Sequence, residues 1–546
     1  MEMTGGQALA AQLVREGVTT LFGLPGVQLD HAFDGLYEQR ERIRFIGPRH
    51  EQGTTYMADG YARTRGEIGV AMVVPGPGVL NAGSGLATAY ACSSPVLLIA
   101  GQIGTQYIGK GLGQLHEIAD QSTVLSTLTK WTAMARAPQE IPELVQAAFR
   151  QLRSGRPRPV ALEVPPDVLA AKADIRLRDP SPGAGLRTAP DPAILRDAAA
   201  LLKRAQRPAI LVGGGIVAAD ATAELTRLAE KLQAPVVATD NGRGAMSDRN
   251  PLSLTNLGGQ RVLPLADVIL AVGTRLVGGQ LSQHVPASAQ LVLMNADPND
   301  LGEPRRPAVA VEADARLGLA ALSDELGELP RRAGPWLDLS EVRAAVASDL
   351  ERVQPQTRYC QALRRSLPDD GILVSEMTQV GYIARSAYPV YEARTFLTPG
   401  YQGTLGYGFP TALGVKAGLP DRKVVCITGD GGFGYGLAEL ATAKRFNLGL
   451  VTVVFDDKAF GNVKRTQKTD FGGRVLGTDL TNPDYVRLAE SFGIRGMRAE
   501  SPEALEGALA EALADNNPCL IAVPVGEMLS MRQVLGGRRP AMAGPR

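Results

Sequence analysis

Residues 424–433 read Val424-Val-Cys-Ile-Thr-Gly-Asp-Gly-Gly-Phe433, an apolar run that ends in a glycine-flanked aspartate. A strand covered on both faces loses its polar alternation, so the run predicts an interior strand of a parallel sheet. Ligands of open α/β sheets bind beyond the carboxyl ends of the strands, which is where Gly429, Asp430, Gly431 and Gly432 fall. Glycines there let the backbone approach a phosphate, and the N–H groups at the start of the next helix hold its charge. Asp457 follows the next predicted strand, Leu450–Phe455, so two carboxylates arrive at one sheet edge. A hard cation with oxygen ligands would join them to a diphosphate. Gly-Asp-Gly alone occurs in many unrelated turns; the second acid at this spacing is what gives it weight.

The same alternation of short apolar strand and longer helix extends over the whole chain. Upstream, strands are predicted at Ile68–Val74, Val96–Ala100 and Val160–Val164, with helices over Gly6–Glu16 and Ile141–Leu152. A proline-rich run from Ala171 to Pro192 then reads as a linker. Strands follow at Ala209–Val212, Val236–Thr239, Val268–Val272 and Leu291–Asn295, and Gly327–Pro355 reads as a second low-order stretch. The last segment adds Ile372–Ser375 and Cys519–Pro524 to the two strands above. The prediction is three doubly wound α/β domains with parallel sheets, at 1–170, 190–330 and 355–530. Residues 531–546, with Arg538, Arg539 and Arg546, read as a tail or as a lid over an anionic substrate.

At 546 residues, with 57 Lys plus Arg against 56 Asp plus Glu, the chain has no general electrostatic pull toward nucleic acid or a membrane. Residues 68–109 carry no charged side chain, but Pro75, Gly76, Pro77, Gly78 and Pro95 interrupt them, so they read as strand, turn, helix and strand rather than a membrane span. Cys92, Cys360, Cys426 and Cys519 lie far apart with no Cys-x-x-Cys spacing, which predicts buried apolar residues in a reducing compartment. The N-terminus has no basic and apolar leader pattern, so a cytoplasmic location is expected.

Arg49-His50-Glu51-Gln52, the run Gly60-Tyr-Ala-Arg63 and Val74-Pro-Gly-Pro-Gly-Val-Leu-Asn81 resemble, in order and spacing, the pyrimidine-binding domain of thiamine-diphosphate enzymes of the acetolactate synthase group. The likeness covers the whole chain and includes Phe22-Gly-Leu-Pro-Gly26, Tyr401-Gln-Gly-Thr-Leu-Gly-Tyr-Gly-Phe-Pro410 and Glu439-Leu-Ala-Thr-Ala443. It implies thiamine diphosphate and Mg²⁺ as cofactors, with Asp430, the Asp457 side chain and the Ala459 carbonyl on the metal. Asp456-Asp457 departs from the usual Asn-Asn or Asn-Asp, which adds negative charge to that shell. The resemblance makes Glu51 the acid that protonates the pyrimidine ring, a task that needs a carboxyl kept protonated by burial. Gly403 and Leu405 match the residues that touch and bend the cofactor, and Gln379 matches a diphosphate contact. Pro75, Gly429, Gly431, Gly432, Gly461, Asn462 and Val463 complete the expected cradle.

The implied chemistry is attack on a 2-oxo acid, loss of CO₂ and addition of the resulting enamine to a proton or a second carbonyl. Val27 and Val463 stand where simple decarboxylases carry acids, which favours carboligation. His116 stands where acetolactate synthases have Gln; it is a candidate acid–base residue, the alternative being a partner for a loop backbone. Val27, Gln28, His31, Leu115 and Thr466 are expected around the substrate. His50 reads as structural. Asn462 and Thr466 match a Met and a Trp that crowd the acceptor pocket of acetolactate synthases. Both remove bulk, so a larger or more polar acceptor than pyruvate is expected, with Asn462 matched by a substrate group or water; the alternative has Thr466 facing solvent.

The middle segment's Gly213-Gly-Gly215 lacks the full dinucleotide spacing. Acetolactate synthases hold a FAD in this domain, and Arg275 matches part of that region. The following Leu-Val-Gly-Gly departs from the usual Phe-Asp-Asp, so FAD is possible but not favoured. Partners are small 2-oxo acids or aldehydes and further copies of the chain, a dimer as the smallest working unit and possibly a tetramer. Two other readings stay open: a lyase or decarboxylase for a bulky or CoA-linked substrate, and a catalytically silent regulatory paralogue.

Overall fold

The computed structural model describes residues 1–181, 187–276, 279–302, 306–330 and 334–536. It contains three six-stranded sheets whose strands pair in parallel throughout. Counted along the chain within each sheet, the first runs 2-1-3-4-6-5, the middle 3-2-1-4-5-6 and the last again 2-1-3-4-6-5. The two outer sheets are therefore topological copies, and the middle one has the order of dinucleotide-binding folds.

The apolar run before Asp430 forms strand Val424–Gly429, between Ile372–Ser375 and Val451–Asp456. Its alternate residues enter two different cores. Val425 and Ile427 join Val451, Val453 and Ile521 on one face, while Val424 and Cys426 join Val454 and Leu520 on the other. That second core runs on into the first domain through Tyr56, Met57 and Ala71. Helix Glu51–Arg65 meets helix Gly408–Gly418 with almost no space between backbones. A Cβ on Gly60 would lie 2.2 Å from the Thr411 carbonyl oxygen, and one on Gly414 would lie 2.0 Å from that of Met57. Arg63 adds a polar junction of all three domains, donating to the Thr398 carbonyl, the Tyr407 hydroxyl and the Asn241 side chain.

Two stretches read as irregular are structured. Within the first linker, Lys172–Asp174 pairs antiparallel with Glu2–Thr4; three-residue strands are too short to show a period. Within 327–355 lies helix Leu339–Glu351, which places Leu339 and Val342 in the middle core and Val346 and Leu350 in the last one. Its i, i+3, i+7, i+11 spacing is visible in the sequence, but charged and proline-containing flanks masked it. The charge-free stretch forms strand Gly69–Val73, helix Pro77–Cys92 and strand Val96–Gly101, as expected. No helix among the described residues is long and apolar enough to cross a membrane. All four cysteines are free, three of them buried. Residues 531–535 form a short helix; the rest of the expected tail or lid, 537–546, lies outside the described residues.

Candidate active site

Asp430 starts a short helix at the end of its strand and is buried, 4% exposed. Its carboxyl is pushed well above the usual range by burial and by the Asp457 charge; burial also raises Asp457, whose side chain bonds to that of Asp430. The Asp457 carboxylate accepts the Ala459 N–H at 3.2 Å, so side chain and backbone of this turn are held together. Asn482 was not foreseen. Its amide donates to Asp430 at 2.6 Å and to Asp456 at 2.8 Å, clamping two strand ends from a loop some fifty residues on. The Asn482-Pro483 pair was the available signal, since Asn-Pro marks a turn.

Beside this edge lies Glu376, a second residue that the motifs did not announce. Its carboxylate accepts the Gly406 N–H at 2.6 Å, the Gly408 N–H at 3.2 Å and the Thr428 hydroxyl at 2.6 Å. Burial nonetheless pushes its carboxyl up to about 7. A Cβ on Gly432 would come within 2.2 Å of this carboxylate. One acid thus fixes the loop of Gly403 and Leu405 against the turn of Gly429, Gly431 and Gly432. Gly403 has φ 57°, left-handed backbone that favours glycine, and Leu405 is half-buried.

Glu51 is the first residue of its helix, half-buried, with its carboxylate 3.0 Å from the Asn81 amide. His50 caps that helix, its Nδ1 accepting the Gln52 N–H at 3.2 Å, in keeping with a structural role. The last domain supports the same turn through Glu439, which is buried and accepts the N–H groups of Arg49 and His50. Pro75 is buried beside Gly76, whose φ is 56° and whose N–H meets Gln121 at 2.8 Å. A Cβ on Gly76 would strike the His116 carbonyl at 2.2 Å.

His116 has φ 67°, and its Nδ1 lies 3.2 Å from the Gln28 amide oxygen; Gln28 in turn donates to the Leu115 carbonyl. The ring is therefore held by a side chain rather than by a loop backbone. Val27 and Leu115, each 62% exposed, and His31 stand open at the surface of the single chain.

Three profiles of the thiamine pyrophosphate enzyme family match in chain order: the N-terminal TPP binding domain over 3–124, the central domain over 195–322 and the C-terminal TPP binding domain over 376–523. The chain belongs to the thiamine pyrophosphate enzyme family. It is 35% identical to a probable 2-ketoarginine decarboxylase of Pseudomonas aeruginosa, over 95% of this chain and 93% of that protein. It is 33% identical to a probable acetolactate synthase large subunit of Methanocaldococcus jannaschii, over 98% of this chain and 94% of that one. With the acetolactate synthase isozyme 3 large subunit of Escherichia coli the identity is 31%, over 98% of both chains.

This thiamine pyrophosphate enzyme also has a cavity of about 1090 Å³, which begins at the strand ends of its middle domain, beside Gly213 and Gly273. It reaches the last domain at Gln379, Tyr382, Asn462 and Arg465, while Glu51, Asp430 and Asp457 are absent from its wall. Gln379 and Asn462 both bond to Arg465, at 2.9 and 2.5 Å. Asn462 is exposed, and its side-chain oxygen is taken by Arg465 while, among the described residues, its NH₂ is not. Gly461 packs on Asp457, Val463 is 51% exposed and Thr466 is half-buried.

Proposed function

We propose that this chain binds thiamine diphosphate with Mg²⁺ and acts on 2-oxo acids in the cytoplasm, joining the acyl fragment to a carbonyl acceptor larger or more polar than pyruvate. The observation that carries the reading is the edge where Asp430 and Asp457 crowd one another beside the glycine turns. Two carboxylates raised by burial and by neighbouring acids, Asp430 by Asp457 and Asp457 by Asp456, suit a divalent cation. Among the described residues no group of three or more His, Cys, Asp or Glu forms a closed cage. That suits Mg²⁺, which is commonly bound by one or two carboxylates plus phosphate oxygens. Asp430, Asp457 and the Ala459 carbonyl would hold the ion, with Gln379 and the turn at Gly429–Gly432 on the diphosphate.

When bound, thiamine diphosphate supplies the carbon nucleophile and the electron sink for cleavage next to a carbonyl. Glu51 would hold and deliver a proton to the pyrimidine ring, with Asn81 orienting its carboxylate. Gly403 and Leu405 would set the angle between the two rings. Val27 and Val463 would line an apolar reaction face that favours loss of a carboxylate charge. His116, held by Gln28, would face the substrate beside Leu115 and His31.

In the single chain Glu51 is only half-buried, and Val27, Leu80, Leu112 and Leu115 on the first domain and Tyr435, Val463, Phe471 and Leu476 on the last are exposed. A relay acid needs a closed pocket, so we read the working unit as a dimer in which one copy's first domain covers the other's last domain; a tetramer remains compatible. FAD is not required by this reading, and a yellow purified protein would reverse that. A second reading, decarboxylation of a bulky 2-oxo acid, draws on the 2-ketoarginine decarboxylase relative and the large cavity. Purified protein with thiamine diphosphate and Mg²⁺, offered 2-oxo acids with and without aldehydes, tests both. Carboligation products are expected by mass spectrometry. CO₂ release with only simple aldehydes favours the second reading, and no cofactor-dependent turnover of any 2-oxo acid sinks both.

A further inference from the structure

Helix Gly461–Asp470 carries three basic side chains of unequal standing. Lys464 pairs with Asp479 and Lys468 with Glu527, each at 2.5 Å, and both pairs are at the surface. Arg465, between them, is the buried one, 7% exposed. Its guanidinium donates to the Gln379 side chain, the Met528 carbonyl and the Asn462 side chain, all neutral oxygens. Among the described residues no carboxylate lies within 4 Å of it. The acids that act on it from further off are Glu527, already paired with Lys468, and Asp457, already committed to the acidic edge.

Buried charges are ordinarily paired, because desolvating one without a counter-charge is costly. A guanidinium has five N–H donors in a planar fork, so Arg465 keeps donors beyond the three used here. The Asn462 oxygen is turned to Arg465, which leaves the amide NH₂ as a further donor. Both residues line the large cavity where it meets the predicted cofactor cradle at Gln379.

We propose that Arg465, with the Asn462 amide, is a specificity determinant that binds an anionic group carried by the substrate at a distance from its reacting carbonyl. The inference rests on the proposed function above and names the substrate class for it: 2-oxo acids or carbonyl acceptors with a second carboxylate or comparable anion. A cationic end, such as the guanidinium of 2-ketoarginine, meets Arg465 as a like charge and is disfavoured. The same donors could instead serve the cofactor's diphosphate or tie down the segment at Met528, and the test separates these.

Full-length enzyme with thiamine diphosphate and Mg²⁺ is assayed for CO₂ release from 2-oxoglutarate, 2-oxopentanoate and 2-ketoarginine, as wild type, Arg465→Met and Arg465→Lys. Charge-assisted recognition predicts that wild type prefers the dianion by about 10-fold or more in kcat/KM, and that Arg465→Met loses about 10- to 100-fold on that substrate alone. Arg465→Lys is expected to keep a good part of the preference. Cofactor affinity, read by fluorescence quenching, and Tm should stay near wild type in Arg465→Lys. Weakened cofactor binding with all three substrates falling together assigns Arg465 to the diphosphate and overturns the proposal. A lowered Tm with unchanged substrate ratios makes it a structural tie, and a wild-type preference for the neutral or cationic acid overturns it outright. Absence of turnover with every substrate instead sinks the underlying function.

Discussion

The first and last domains share one strand order, yet their corresponding strand ends carry different chemistry. After the first strand, the N-terminal sheet continues Leu24-Pro25-Gly26-Val27 and the C-terminal one Glu376-Met377-Thr378-Gln379. After the third come Val74-Pro75-Gly76-Pro77 in one and Asp430-Gly431-Gly432 in the other; after the fourth, Gln102-Ile103 and Asp457-Lys458. One edge is rich in proline and glycine, with Glu51 on a neighbouring helix and Glu163 buried beneath its Gly76 turn. The other is acidic and glycine-rich. A shared fold supplies two equivalent platforms, and in the proposed function the residues at the strand ends would let one receive a diphosphate and a cation while the other covers a ring.

The two edges should differ most in their response to loss of an acid. Asp430→Ala is expected to abolish Mg²⁺-dependent binding of thiamine diphosphate, a loss of about 100-fold or more, since even outer-shell changes at metal sites cost about 10- to 100-fold. Asp457→Asn restores the commoner residue and should be tolerated in the same fluorescence titration. Equal loss in both variants would mean that the second acid does more than ligate. On the first domain's edge, Glu51→Gln should leave cofactor affinity intact and slow turnover by about 10²- to 10⁴-fold. If its thiazolium proton exchanges as fast as in wild type, Glu51 is not the relay.

Glu376 sharpens the contrast through pH. Its carboxyl is raised in the fold from 4.5 to about 7, so the folded protein holds a proton there that the unfolded chain releases. The stabilisation is full below about 4.5 and is lost as pH rises through about 7, a decline of about 3 kcal/mol. Glu376→Gln cannot accept all three of its donors and should be less stable overall, but this part of the pH slope should vanish from denaturant unfolding curves. A slope unchanged in the variant excludes Glu376 as its source. The smallest effect expected is at Thr466: Thr466→Trp should shift product ratios a few-fold from a large acceptor toward pyruvate, in the range of discrimination by shape alone. An unchanged ratio with both activities intact would place this residue away from the acceptor.

What could be read from sequence was local. Val424–Gly429, its glycine turn and Asp457 lie close along the chain, and strand periodicity with turn chemistry exposes them. Asn482 and Glu376 reach the same edge from other loops, and their roles exist only once the strands are ordered side by side. The same holds for Glu163, a buried strand residue whose carboxylate gathers Gln102, Gln121 and Ser122 beneath the Gly76 turn. The partner of Asn462 was missed for a simpler reason. Arg465 lies one helical turn along, at the i+3 spacing where side chains meet, but that spacing alone does not say that the arginine turns inward.

In the proposed dimer, Glu51 of one copy works on a cofactor held by Asp430 of another, and mixing two inactive variants distinguishes this from a site built within one chain. Glu51→Gln and Asp430→Ala proteins are combined, allowed to exchange subunits, and assayed for thiamine-diphosphate-dependent CO₂ release. In a two-fold dimer with shared sites, each mixed pair regains one intact site, so random exchange predicts return of about a quarter of wild-type activity. Exchange verified by mass spectrometry with no activity returned would contradict the shared site, because it would put both acids of each site on a single chain.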